Sequence, residues 1–295
     1  MNFFKNSLSK YYDSDTVTKI IEGSSVNRAT TLRVNTLKTN TQKVKDQLKN
    51  LNINYEIADF SEDAIIITDN DADITETELF KNGEIYLQSL SSQLPPIILS
   101  PNENEDILDM CAAPGGKTTQ IAALTNNRSH ITACEMNRKR AERLKYNIEK
   151  QGVKNVNVMV TDARQLESYF SFDKILIDAL CTGSGTFNLN NPKTYEGFTD
   201  ILINKCTASQ LKLLDKGLSL LKKGGTAVYS TCSVLPIENE EIVNKIINKH
   251  SCKIIPIENN SLNCLPTLPC SLNGAVCVCP NDRFEGFFVA KIIKE

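Results

Sequence analysis

The chain of 295 residues has 41% apolar residues, 23% charged residues and a net charge of −2, the balance of a folded globular protein with room for one large domain and a smaller one. No run approaches the roughly 20 apolar residues of a membrane span, and MNFFKNSLSKYYDSD lacks the apolar core and small-residue cleavage site of a signal peptide, so the ten cysteines read as reduced thiols of a cytoplasmic protein. Two histidines, His130 and His250, leave little for histidine metal sites or Ser-His-Asp triads.

Charge is uneven along the chain. Residues 1–50 hold nine Lys/Arg against four Asp/Glu, residues 51–110 one against fourteen, and residues 111–295 23 against 17. Basic ends around an acidic middle fit either solvated faces or a basic groove for nucleic acid. TTLRVNTLK (30–38) alternates like a strand, TQKVKDQLKNLN (41–52) has a helical period, YEIAD and AIIIT are short strands, and DNDADITETE (69–78) is an acidic loop. These predict a small α/β unit over residues 1–82. GEIYLQSLSSQLPPIILSP (83–101) predicts a bridging strand and helix that open a larger unit, 83–295. From 106 the rhythm is strand, loop, helix. ILDM, ITACE, VNVMV, KILIDA and TAVYS alternate with KTTQIAAL, NRKRAERLKYNIEKQG, a long stretch around 200–222, and PIENEEIVNKIINKH, whose helix is expected to start at Pro236. The alternation predicts an α/β fold with a mostly parallel, doubly wound sheet. GAVCVC and GFFVAKII predict an antiparallel hairpin at its edge.

DMCAAPGGKTTQ (109–120) joins the first strand of that sheet to its first helix. The small residues Cys111, Ala112, Ala113, Pro114, Gly115 and Gly116 let backbone approach a ligand at a helix N-terminus, with Lys117 beside them. Glu135 ends the second strand, 20 residues after Gly115, where an acid holds a ribose hydroxyl pair in nucleotide-binding sheets. Asp162 follows the third strand, placed for an adenine amine. A ribose acid paired with an adenine-side acid suits a ligand with a nucleoside but no phosphates, and S-adenosyl-L-methionine is such a ligand. The rival is a P-loop NTPase, because CAAPGGKT matches the second half of a Walker A loop and KILIDA resembles a Walker B strand. Against it, Cys111 stands where the first glycine belongs, and Pro114 removes an N–H from the phosphate cradle. KILIDALCTGSGTF (174–187) ends the fourth strand on Asp178 and then places Cys181, while YSTCS ends the fifth on Cys232. Both thiols therefore follow strand ends, where open α/β sheets put their ligands.

RVNTLK, DMCAAPGGKT, DALCTGSG, YSTCS with PIENE, and EGFFVAKI make the chain resemble the Sun/Fmu-type (RsmB/NOP) family of RNA cytosine-5 methyltransferases over roughly residues 25–295. The resemblance implies a Rossmann-like class I methyltransferase domain behind a small N-terminal α/β RNA-binding subdomain. It implies methyl transfer from S-adenosylmethionine to carbon 5 of cytosine in RNA, with rRNA the first choice and tRNA the second. It implies Cys232 as nucleophile and Cys181 as the residue assisting product release; the residues by themselves leave the two thiols interchangeable. It further implies that Asp178 bonds the amine side of the base or the donor's methionine amine, that Lys117 supports the pocket's negative charge, and that Arg140, five residues past Glu135, binds the cofactor and lies near the RNA, where the residues alone also fit a solvated helix face. Leu180 stands where the family has proline.

Carbon 5 of cytosine is a poor nucleophile, and thiolate addition at carbon 6 makes it electron-rich. Lys117 and the start of the 236 helix are expected to favour that thiolate. Single-stranded RNA lowers the cost of bringing the base out of its stack, and Arg28, Arg33 and Lys38 are candidate phosphate contacts. Cys264, Cys270, Cys277 and Cys279 fit no paired zinc spacing, so no metal is expected. Cys111, Cys134, Cys206 and Cys252 read as core or helix residues. A monomer is expected. An inactive RNA-binding assembly factor is the alternative of another class, and the intact cysteine pair speaks against it.

Overall fold

Residues Thr30–Val34 (β1), Tyr55–Ile57 (β2), Ala64–Ile67 (β3) and Ile85–Leu87 (β4) form an antiparallel four-stranded sheet in the order β2-β3-β1-β4. The computed structural model describes residues 2–69, 71–257 and 262–295. Helix α3 (Thr41–Asn50) is capped by the Asn40 side chain, which accepts from the Lys43 N–H. Its Val44 and Leu48 pack with Leu32, Ile65 and Ile67 as the core of this layer. Short α4 (Glu78–Lys81) closes it. β4 was expected to open the larger unit, but it pairs with β1 at the edge of the small sheet.

The second sheet has eight strands: Asp106–Asp109 (β5), His130–Cys134 (β6), Val156–Met159 (β7), Phe172–Asp178 (β8), Leu221–Thr231 (β9), Cys252–Ile255 (β10), Val276–Val278 (β11) and Phe287–Lys294 (β12). Its order is β10-β12-β9-β8-β5-β6-β7, with β11 also paired to β12. The pairs β5·β6, β6·β7, β5·β8 and β8·β9 are parallel, and those made by β12 are antiparallel. Central strands bury both faces, which is why Ile107-Leu108, Ile175-Leu176-Ile177 and Ala227-Val228-Tyr229 read as continuous apolar runs. Helices α5 (Leu90–Leu99) and α6 (Gly116–Leu124) cover one face through Leu94, Ile98 and Ile121. Helices α8 (Asp200–Leu220) and α9 (Glu240–Ile247) cover the other through Leu214, Leu218, Val243 and Ile246. Helix α7 (Arg138–Lys150) follows β6.

Two local departures bear on the site. Helices α1 (Asn2–Leu8) and α2 (Ser14–Gly23) contribute Phe4, Leu8, Val17 and Ile20 to the core of the large sheet rather than to the small one. Residues Pro236–Glu238 form a 3-10 turn, and α9 begins at Glu240. Asn239 at φ −115°, ψ −100° interrupts the helix expected from Pro236. Among the described residues no helix is long and apolar enough to cross a membrane.

Candidate active site

The carboxyl ends of β5, β8 and β9 lie side by side, so the loops that leave them converge. The Cys181 and Cys232 sulfurs are 3.2 Å apart, both half-buried. Two cavities meet at Cys232, and Cys181 lines the first of them. The first, about 270 Å³, is lined by Cys111, Ala113, Glu135, Arg140, Asp162, Asp178, Cys181 and Cys232. The second, about 360 Å³, is lined by Ala112, Pro114, Gly116, Lys117 and, again, Cys111, Ala113, Asp178 and Cys232. The glycine loop thus stands between them, and Gly115 lines neither.

Gly115 caps α6 at φ +114°, a left-handed conformation open to glycine, and a Cβ there would sit 3.1 Å from the Leu144 side chain. Asp109, buried at the end of β5, accepts from the Thr118 hydroxyl at 2.7 Å and the Cys111 N–H at 3.3 Å, which holds the loop in its turn. Burial, reinforced by Asp178, pushes Asp109 up to about 6 against the opposing Thr118 bond.

Lys117 and Asp178 pair at 2.8 Å, with the Lys117 ammonium also donating to Ser92 Oγ at 2.7 Å and the Ser230 hydroxyl donating to Asp178 at 2.8 Å. Burial works against the Lys117 charge, yet Asp178 and Cys232 raise its pKa. Cys181 is pushed well above the ordinary thiol range by its hydrogen bond with Cys232 and by burial, with Glu238 adding to the effect. Glu238, expected as a helix-opening acid, is wholly buried. It accepts from the Thr182 N–H at 2.8 Å, the Thr182 hydroxyl at 2.6 Å and the Ser233 hydroxyl at 2.6 Å. The 236 turn therefore brings a carboxylate to the Cys181 loop, not the bare helix N-terminus that was expected to favour a thiolate. Gln210 holds the Leu180 carbonyl at 3.0 Å, so the loop is fixed behind an exposed Leu180 side chain.

Glu135 is buried at the first cavity, accepting from the Asn137 N–H at 2.8 Å and facing Arg140 at 3.4 Å. Arg140 also donates to the Ala113 carbonyl at 2.8 Å. Asp162 is gripped by Arg164 at 2.6–3.0 Å through several N–H groups, which lowers its pKa. Gln210 lines the same cavity and its buried Oε1 has no partner.

The three candidate phosphate contacts are structural ties. Arg33 is buried and donates to Gln88, Thr119 and the Gly116 carbonyl, locking β1 onto the start of α6. Arg28 donates to the carbonyls of Phe284 and Phe187, among others, and Lys38 to those of Asn82 and Lys150. Burial withdraws Arg33 from a phosphate backbone, whereas Arg28 is half-buried and Lys38 exposed. Asp109, Arg164, Gln210 and Glu238 were missed. Glu238 had a signal in PIENE, and Asp109 one as the acid that ends an apolar strand.

A family model described as 16S rRNA methyltransferase RsmB/F matches residues 96–293, and one described as an RsmF/B-like, ferredoxin-like domain matches residues 2–75. A probable ribosomal RNA small subunit methyltransferase B of Bacillus subtilis is 33% identical over 242 residues, covering 81% of this chain and 54% of its own length. A tRNA (cytosine(72)-C(5))-methyltransferase of Pyrococcus horikoshii is 35% identical over 75% of this chain and 55% of its own. The chain spans about half the length of these relatives. The crystal structure of a methyltransferase homolog protein from Pyrococcus horikoshii covers 100% of both chains at 30% identity, with a TM-score of 0.85. With a family model over residues 96–293 and relatives above 30% identity over three quarters or more of its length, the chain belongs to the RsmB/F methyltransferase family.

Proposed function

We infer that this protein methylates carbon 5 of a cytosine in RNA, with the methyl donor in the first cavity and the base in the second. The observation that carries the reading is the cysteine pair, with Cys232 and Asp178 lining both cavities and Lys117 paired to Asp178. The first cavity fits S-adenosylmethionine: buried Glu135 keeps lone pairs for ribose hydroxyls, and the orphaned Gln210 Oε1 awaits an N–H donor. Asp162 would share an adenine amine with Arg164. Bound there, S-adenosylmethionine supplies an electrophilic methyl group.

Cys232 is the nucleophile in this reading. Its thiolate adds to carbon 6 and turns carbon 5 into a carbanion equivalent. Cys181 starts as a thiol beside the Cys232 sulfur; in this reading it gives its proton to solvent in the open cleft, and its thiolate then takes the carbon 5 proton. Loss of that proton expels the Cys232 thiolate and restores the aromatic base. Asp178, fixed by Lys117 and Ser230, accepts from the cytosine amine or the donor's amine. The substrate is rRNA, with tRNA second, as the relatives' names support. The protein acts as a cytoplasmic monomer in this reading, which a sequence with ten cysteines and no secretion signal suits. The division into residues 1–82 for RNA and 83–295 for catalysis belongs to the same proposal, with α1, α2 and β4 crossing it.

The test uses RNA from cells lacking the gene and the purified protein. Cys232→Ala is expected to lower transfer by at least about a thousandfold and leave no covalent complex, whereas Cys181→Ala is expected to accumulate a protein–RNA adduct on a denaturing gel. The opposite pattern reverses the two roles, and no transfer by the wild type to any RNA from such cells rejects the function.

A further inference from the structure

A third cavity, about 190 Å³, lies next to the base cleft and shares Tyr86 and Leu87 with it. Its other lining residues include Phe80, Asn147, Lys150 and Gln151. Gln151 is 1% exposed, and its amide N–H donates to the Ile85 carbonyl at 3.2 Å, which fixes the amide's sense. That leaves Gln151 Oε1 buried without a partner. A buried, unpaired acceptor is costly unless a ligand's N–H completes it. Two aromatic rings and an acceptor in a cavity of this size are the complement of an unstacked nucleobase.

The rim carries the matching charge. Lys139, Arg143, Tyr146 and Lys150 recur at three- and four-residue steps along α7 and so share one face. Lys139 and Arg143 are exposed, and Tyr146 is 62% exposed. The helix's ion pair runs from Arg140 to Glu135, and among the described residues no ion pair engages Lys139, Arg143 or Lys150. The Lys150 ammonium rests 3.8 Å from the Phe80 ring centroid. Cations without acidic partners, interleaved with an exposed aromatic, suit a single-stranded phosphate backbone.

We propose that this cavity takes the nucleobase adjacent to the target cytosine, with the α7 face holding the phosphates beyond it. The proposal rests on the RNA reading above and deepens it. Pulling the neighbour into its own pocket unstacks the target and helps present it to Cys232.

The probes are single-stranded uridine heptamers with one central cytidine, intact or with an abasic ribose on one side of it. Wild-type protein is expected to bind one abasic heptamer roughly fivefold or more weakly than the intact one, the range of a lost base–aromatic stack. Gln151→Leu and, as a surface change that spares folding, Lys150→Ala are expected to weaken the intact heptamer and to shrink that abasic penalty. Equal binding of intact and both abasic heptamers by wild type overturns the subsite, as does an unchanged penalty in both variants. Methyl incorporation into the central cytidine, read in parallel, separates the failures. Methylation with no abasic penalty rejects the subsite alone; neither binding nor methylation rejects it together with the RNA reading.

Discussion

Asp109 shows how one buried carboxylate ties stability to pH. In the folded chain its pKa is about 6 against an ordinary 3.8. Between those values the folded protein holds a proton that the unfolded chain has released, so folding is favoured at the acid end and loses that advantage as pH rises through 6. The gap corresponds to about 3 kcal/mol. Asp109→Asn keeps an acceptor for Thr118 and cannot ionise. Wild type is therefore expected to lose about 2 kcal/mol more than Asp109→Asn between pH 4 and 6.5, from urea unfolding midpoints. Parallel curves for the two proteins would show that the burial cost is absorbed elsewhere. Glu238 is the second residue whose weight lies in its partners: three donors from two loops converge on it, so the Cys181 and Cys232 loops are held by one carboxylate.

Loops are positioned here by strands that touch almost without side chains. The Gly185 N–H donates to the Cys232 carbonyl at 3.0 Å, and the Gly286 N–H donates to the Gly185 carbonyl at 2.8 Å. A Cβ on Gly185 would lie 1.9 Å from the Gly286 carbonyl oxygen, which is backbone and cannot swing away. Gly185→Ala is expected to cost about 3 kcal/mol or more through overpacking and to reduce methyl transfer more than RNA binding, since it separates the Cys181 loop from the end of β9. Calorimetry and a transfer assay check the two parts; an unchanged melting temperature would mean that the entry to β12 moves freely. The glycines of DALCTGSG and EGFF were visible as motif letters. Their mutual contact was not, because residues 185 and 286 are brought together only by the pairing of β12 with β9.

Over the whole molecule the first helices behave as part of the catalytic layer. Phe4 is 2% exposed, with its ring 5.0 Å from Phe187 and 5.6 Å from Phe198. Tyr12 donates to the Val234 carbonyl at 2.8 Å, just beyond Cys232. Phe4→Ala is expected to lower stability by about 3–4 kcal/mol and to speed hydrogen exchange in residues 183–198; loss of protection confined to α1 would show that the helix is only an appendage. The two-unit division expected at 82/83 is crossed by α1, α2 and β4. Their apolar residues say only that they must be buried, and which layer receives them depends on chain geometry.

The sequence by itself determined the sheet class, the order of helix and strand, and the chemistry at each strand end, because periodicity and motif spacing are local properties of the chain. It also determined that Glu135, Asp178, Cys181 and Cys232 stand at carboxyl ends. Only the tertiary structure decided that the two sulfurs lie 3.2 Å apart with Cys232 lining both cavities, that Arg33 is a tie rather than a phosphate contact, and that Glu238 serves the cysteine loops. Those facts depend on which backbone carbonyls and N–H groups come within reach of a side chain. That is fixed when the strands are registered and the helices packed against them.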